Sequence, residues 1–204
     1  PHKGCSLLLC SILLLQSWPH WDGAVGMELT AALFDLCKNI KRPIIAIDGP
    51  AGAGKTTLAD HLAAALSLKY SVNIIHMDDL YNGWEGAFDH HLTDALTGIV
   101  DSHQSGKKVS LSRYDWSKGT FTQAQELPSA DLLILEGVGS SQKAVRPHLA
   151  SSIWIEIDRT QGLERVLKRD GAAISEEMQM WLRLQDQHFC EEESEKTADF
   201  VLTN

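Results

Sequence analysis

The chain has 204 residues, 44% of them hydrophobic and 22% charged, the make-up of one globular domain with room for a small insertion. Its formal net charge of −9 argues against a broad nucleic-acid-binding face, which needs clustered Lys and Arg, yet allows a small anion in a local cationic pocket. Cys5, Cys10, Cys37 and Cys190 form no CxxC pair and are too sparse for a disulfide scaffold, so they read as reduced thiols, with Cys37 and Cys190 expected in buried packing.

Residues 1–26 do not match the rest. Lys3, the apolar stretch from Leu7 to Leu15 and the small residues Ala24-Val25-Gly26 imitate a secretory signal, and the stretch is too short to cross a bilayer as a helix. A non-native or mis-started extension is preferred over an export signal or a packed extra element, because Met27 opens a segment that runs directly into the first strand. Residues 27–204 are read as the domain itself.

From Glu28 to Asn39, Leu29, Leu33, Leu36 and Cys37 recur at helical spacing, which predicts an amphipathic helix that Pro43 ends. Pro43 to Ile47 is an apolar strand. It leads into Gly49-Pro50-Ala51-Gly52-Ala53-Gly54-Lys55-Thr56, which fits the phosphate-loop pattern GxxxxGK[ST], and the helix-forming run from Thr57 to Leu66 follows. Glycines at this spacing let backbone N–H groups turn toward phosphate oxygens, and the helix N-terminus adds its positive dipole end. The nucleotide-binding set is therefore Gly49, Ala51, Gly52, Ala53, Gly54, Lys55, Thr56 and Thr57, with Lys55 reaching the β and γ phosphates and the Thr56 hydroxyl offered to Mg²⁺.

Further along, Ser71 to Met77 reads as a strand ending in Asp78-Asp79, and a helix is expected from about Phe88 to Gln104. Val109–Arg113 and Thr120–Thr122, parted by Ser117-Lys118-Gly119, predict a small hairpin. Leu132 to Glu136 is apolar until its final acid, as expected of a parallel strand covered on both faces. Ser152 to Ile157 is a strand, about Gln161 to Arg169 and Ser175 to Cys190 are helices, Glu191 to Glu193 is a solvated acidic patch, and Phe200 to Leu202 is a last strand. The alternation predicts an α/β fold, a three-layer α/β/α phosphate-loop NTPase with a mostly parallel five-stranded sheet and a small hairpin or lid insertion. Ligands bind beyond the carboxyl ends of such strands, where the phosphate loop, Asp78-Asp79 and Glu136 converge.

The phosphate loop together with His76-Met77-Asp78-Asp79-Leu80-Tyr81 resembles the P-loop kinases that include uridine-cytidine kinases, phosphoribulokinase and bacterial pantothenate kinase. The resemblance implies that Asp78 is the base that accepts the proton of a substrate hydroxyl, with Asp79 beside it as the other candidate. Leu135-Glu136-Gly137-Val138 is similar to the E-G element of uridine kinases, which implies that Glu136, with Thr56 and Asp78, contacts Mg²⁺ or its waters. Leu163 to Asp170 is similar to the segment leading into the lid, which implies a role for Arg165 and Arg169, and behind them Arg159, in closing on the transferring phosphoryl group. Arg113-Tyr114-Asp115-Trp116 resembles the Y-D-F element that holds the nucleoside. Asp79, Tyr81, Arg113, Tyr114 and Trp116 are thus the candidate acceptor contacts; Tyr81, Trp84 and Trp116 offer flat faces or simply pack. Here the chain departs from the family: Ser117-Lys118-Gly119 replaces the His and Arg expected after Y-D-F, and Gly171-Ala172-Ala173 the later arginine cluster.

The expected activity is transfer of the γ-phosphoryl group of ATP, with Mg²⁺, to a hydroxyl of a small molecule such as a nucleoside. The alternatives are a nucleoside monophosphate kinase, for which only Arg113 and Lys118 are on offer near Tyr114, and a non-catalytic ATP-binding protein. A GTPase would carry NKxD and DxxG, and neither occurs. No nucleic-acid polymer or membrane partner is expected, the location is expected to be cytoplasmic, and the oligomeric state is left open.

Overall fold

The computed structural model describes residues 24–204. The signal-like segment, up to residue 23, lies outside the described residues. Helix α1 (Ala24–Cys37) starts earlier than the spacing predicted and buries Leu29, Leu33 and Cys37, one turn apart on one stripe. Burial pushes the Cys37 thiol up to about 11.

Strand β1 (Ile44–Asp48) is fully buried and runs through the phosphate loop into α2 (Lys55–Leu66). β2 (Val72–His76) passes through a single 3₁₀ turn, Met77–Asp79, and a loop to α3 (His90–Gln104), which Asp89 caps by accepting from the His91 N–H at 2.9 Å. An insertion then folds as two short antiparallel ladders. The outer one pairs β3 (Val109–Leu111) with β6 (Gln125–Leu127), and the inner one pairs β4 (Tyr114–Asp115) with β5 (Thr120–Phe121). The expected pairing of 109–113 with 120–122 is corrected by this finding: the partner of β3 is β6, whose exposed Gln125 and Glu126 give no hydrophobic alternation to read.

β7 (Leu132–Glu136), β8 (Ser151–Glu156), α4 (Arg159–Asp170), α5 (Ser175–Glu192) and β9 (Phe200–Thr203) complete the chain. The central sheet has the order β2-β7-β1-β8-β9 with every pairing parallel. Side chains alternate between its faces. Ile45, Ile47, Ile134, Ile153 and Ile155 pack with α1 and α2, whereas Ile44, Leu133, Leu135 and Ile75 pack with α3, Val166 of α4 and Trp181 of α5. The architecture is the expected three-layer α/β/α fold. Cys190 departs from expectation: α5 buries Met178, Trp181, Leu182, Gln185 and His188, and Cys190, off that stripe, is exposed.

Leu33 is fully buried between α1 and the sheet. Leu33→Ala should cost about 2–5 kcal/mol and lower the melting temperature by roughly 5–15 °C. A thermal melt followed by circular dichroism checks this; an unchanged midpoint would mean that α1 is not part of the cooperative core.

Candidate active site

Parallel register builds the site. Ile47 and His76 both lie level with Glu136, so the carboxyl ends of β1, β2 and β7 share one edge, and whatever follows each strand meets there.

The phosphate loop is shaped by glycines in backbone conformations closed to other residues: φ is +138° at Gly49, +79° at Gly52 and +95° at Gly54. A Cβ on Gly52 would stand 2.2 Å from the Gly162 carbonyl oxygen, so α4 packs directly on the loop. Gly54 is the left-handed N-cap of α2, which leaves the first N–H groups of that helix, those of Lys55, Thr56 and Thr57, without intrahelical partners and aimed beyond its end. Other loop amides are already used. The Gly49 N–H donates to Asp48 Oδ1 at 2.8 Å, the Ala51 N–H to Gln185 Oε1 at 3.1 Å, and the Ala53 N–H to the Pro50 carbonyl at 3.2 Å. Of the expected nucleotide-binding set, Gly49, Ala51 and Ala53 thus have their amides engaged within the protein, while those of Lys55, Thr56 and Thr57 stay unpaired at the helix N-terminus.

Lys55 is buried, and its Nζ donates to the Gly49 and Pro50 carbonyls, both at 2.8 Å. Burial lowers its pKa, while the nearby carboxylates of Glu136, Asp48 and Asp78 oppose the shift. Thr56 Oγ1 donates to Glu136 Oε1 at 3.2 Å, and the same oxygen meets His76 Nδ1 at 2.5 Å, a contact that raises the His76 pKa. Asp78 sits in the 3₁₀ turn after β2. Its side chain is exposed at the cavity; desolvation by the surrounding protein pushes its pKa up, and Lys55 pulls it down.

A cavity of about 510 Å³ brings Asp78, Glu136, Arg165, Arg169, Tyr81 and Trp116 together with Lys55, Thr56, Thr57 and the loop residues Ala51, Gly52 and Gly54. The Arg165 guanidinium reaches the Gly52 carbonyl at 3.5 Å and Asn204 Oδ1 at 3.4 Å, and Arg169 forms a twofold pair with Asp170 at 2.7 Å. Arg159 is turned away and paired with Asp186.

The acceptor contacts read from sequence are only partly assembled. Asp79 and Arg113 form an ion pair at 2.9 Å outside the cavity, which ties the hairpin to the turn after β2. Tyr114 stays behind Trp116, the ring centroids 5.1 Å apart. The Tyr81 ring has no exposed surface, and its hydroxyl donates to the Val138 carbonyl at 2.9 Å, so it supports the cavity floor rather than offering a face. Of the expected acceptor contacts, Asp79 and Arg113 thus hold each other and Tyr81 is held by burial, while Trp116 lines the cavity.

Sequence reasoning missed Asp48, Gln185, Asn204 and Trp181. Buried Asp48 accepts from the Gly49, Gly139 and Ser141 N–H groups and from Ser141 Oγ, fastening the phosphate loop to the loop after β7. Its only sequence signal is an acid closing an apolar strand. Asn204 Nδ2 donates to the Ala53 carbonyl at 2.7 Å, and Trp181 walls the cavity from α5.

Residues 45–182 match the AAA-domain family. The chain belongs to that family. The AAA-domain chain is 37% identical over 98 residues to the disease resistance protein RML1B of Arabidopsis thaliana, a match that covers 44% of this chain and 9% of that protein. It is 27% identical over 143 residues to the uridine kinase of Schizosaccharomyces pombe, covering 62% of this chain and 31% of that one. The chain thus spans less than a third of the length of either relative. Its fold is shared with the "possible uridine kinase" of Bacillus stearothermophilus at a TM-score of 0.60 and 24% identity, over 86% of this chain and 100% of that one. Sequence and fold bear out the resemblance to uridine kinase-like P-loop kinases.

The donor set of the AAA-domain chain fits the groups that this family uses. Glycine-shaped backbone, free helix N–H groups and a buried lysine suit a triphosphate. Among the described residues no three His, Cys, Asp or Glu side chains gather as a complete metal cage. Thr56 Oγ1, Glu136 and Asp78 are hard oxygen donors on one side of the cavity, which matches the way Mg²⁺ takes one or two carboxylates and leaves its other positions to water and phosphate.

Proposed function

We propose that the chain is a kinase that moves the γ-phosphoryl group of ATP onto a hydroxyl of a small molecule, with Asp78 as the base. One observation carries this reading: the Asp78 carboxylate opens into the same cavity as Lys55, Thr56 and Glu136, so a proton acceptor and a triphosphate cradle face one volume.

The chain's residues divide the work. The N–H groups of Gly52 and of Gly54 to Thr57 and the Lys55 ammonium bind and orient the phosphates, and Arg165 and Arg169 close the side toward α4, where their charge opposes that of the transferring group. Thr56 and Glu136 would hold Mg²⁺, which when bound would supply charge neutralisation for the nucleotide phosphates. Asp78 takes the proton of the attacking hydroxyl, and its raised pKa suits that task. Among the described residues no helix is long and apolar enough to cross a membrane. The reading requires ATP, Mg²⁺ and a small acceptor as partners, and so a compartment that holds ATP, the cytoplasm.

A coupled ADP-release assay over a panel of alcohols, nucleosides, nucleoside monophosphates and sugar phosphates tests this. Acceptor-dependent turnover should fall on the order of 10³-fold in Asp78→Asn while ATP binding persists. Full activity in that variant, or ADP release that no acceptor stimulates, would sink the reading.

A further inference from the structure

Asp78 lies in the middle of a single 3₁₀ turn, Met77–Asp79, a short element with weak internal hydrogen-bond geometry whose direction depends on what holds it from outside. One end is wedged. Met77 is fully buried, and a Cβ on Gly137 would stand 2.5 Å from the Met77 Cβ, so the loop after β7 packs directly against it. The other end is held by the hairpin, where Arg113 Nε donates to Asp79 Oδ2 at 2.9 Å and Trp116 Nε1–H donates to the Asp78 carbonyl at 3.1 Å. Two bonds from one hairpin thus bracket Asp78, one on its own carbonyl and one on the next side chain.

The hairpin fixes Arg113 in turn. The Thr122 N–H donates to the Arg113 carbonyl at 2.8 Å, and the Thr122 hydroxyl accepts from the Arg113 N–H at 3.1 Å. The guanidinium spans two acceptors, Asp79 and, through Nη1, Gln125 Oε1 of β6 at 3.2 Å, so it bridges the outer ladder to the turn. Neither Arg113 nor Asp79 lines the cavity, which places the pair behind the reacting groups. Its contribution to fold stability is small, because the two side chains are 40% and 27% exposed and water screens them. Its leverage is on direction. A misplacement of about 1 Å at a reacting group can cost on the order of 10²-fold in rate, and Asp78 is the immediate neighbour of the residue that Arg113 grips.

Resting on the kinase reading above, we infer that Arg113 is a positioning residue: through Asp79 it fixes the turn after β2 so that the Asp78 carboxylate keeps its aim into the cavity. Asp79 is the handle by which the turn is held, and Asp78 alone faces the reacting groups.

The test measures ADP release with Mg²⁺ and ATP for wild type, Arg113→Gln, Asp79→Ala, the double variant and Arg113→Lys, using the best acceptor among uridine, cytidine, their 5′-monophosphates, ribose 5-phosphate and glycerol. Each single loss should lower kcat on the order of 10-fold to 100-fold, with KM for ATP and for the acceptor within about twofold of wild type and the melting temperature within about 2 °C. The double variant should be no slower than the slower single one, because both remove the same hold. Arg113→Lys keeps a charge for Asp79 and should regain most of the loss. Unchanged kcat in Arg113→Gln, losses that multiply in the double variant, or a raised acceptor KM at constant kcat would overturn the positioning role and leave the kinase reading standing. A second readout needs no acceptor. Solvent exchange of the Trp116 Nε1–H, followed by NMR, should quicken by roughly threefold or more in Arg113→Gln and Asp79→Ala. The Trp154 indole, bonded to Glu156 Oε2 at 2.6 Å, should stay as it was. If no compound stimulates ADP release by wild type, the kinase reading fails and this exchange decides alone: quickened exchange upholds the hold of Arg113 on the turn, and unchanged exchange overturns it.

Discussion

Lys55→Met is expected to lower kcat/KM for acceptor phosphorylation on the order of 10⁴-fold while moving the melting temperature by less than about 5 °C. The loss is large because Lys55 is the ammonium at the floor of the cradle, and a full charge aimed at transferring phosphoryl oxygens in a water-poor site has no substitute. The stability change is small because two effects oppose each other. Removing the ammonium strips donors from the Gly49 and Pro50 carbonyls, which now receive it at 2.8 Å. It also removes a buried charge whose desolvation already lowers its pKa, and methionine fills the same slot as an unbranched apolar chain. The assay is coupled ADP release beside a thermal melt; turnover within tenfold of wild type would show that Lys55 does not touch the reacting phosphates. Arginine should not rescue, since its planar fork does not fit a slot shaped around two carbonyls and a linear stem.

Gly49→Ala is expected to destabilise the fold by about 3–5 kcal/mol, with a melting temperature lower by roughly 6–15 °C. The new Cβ would lie 2.4 Å from the Ile155 carbonyl oxygen and 3.1 Å from its nitrogen, at a φ of +138° that only glycine adopts readily. β1 and β8 are neighbouring strands, so neither backbone can retreat without breaking the ladder between them. Gly98→Ala in α3 is the control: no atom stands within 4 Å of its added Cβ, and alanine should stabilise the helix by about 0.5–1 kcal/mol. Equal melting temperatures for the two variants would refute the close approach at Gly49.

The contrast between these glycines shows what the sequence reveals. The phosphate loop was legible because its pattern fixes residue type at Gly49, Gly54, Lys55 and Thr56 between a strand and a helix. β1 and β7 were legible because strands covered on both faces become continuous apolar runs, and Glu136 stood out as the acid that ends one. The struts that hold the loop were not legible. Gln185 is 134 residues from the Ala51 amide it receives, and Asn204 is 151 from the Ala53 carbonyl it supports. An amide side chain carries no local pattern that betrays a distant partner. Trp181 was hidden for the opposite reason: it lies on the buried stripe of α5, where a tryptophan looks like packing until the helix is seen to cross the cavity. Tyr81 misled because aromatic character says nothing of which way a ring faces.

The alternation of side chains across the central sheet has a consequence for how such a protein changes over generations. Tyr81, Met178 and Trp181 belong to the hydrophobic cluster on the α3 and α5 face and also wall the cavity, so a substitution there alters what the cavity admits and weakens that layer together. Trp84 only borders the cluster, and Trp116 stands outside it on the hairpin. A lineage shifting toward a new acceptor would find its tolerated steps at these two positions. The α1 and α2 face, with the helix that begins at Lys55, would be inherited unchanged.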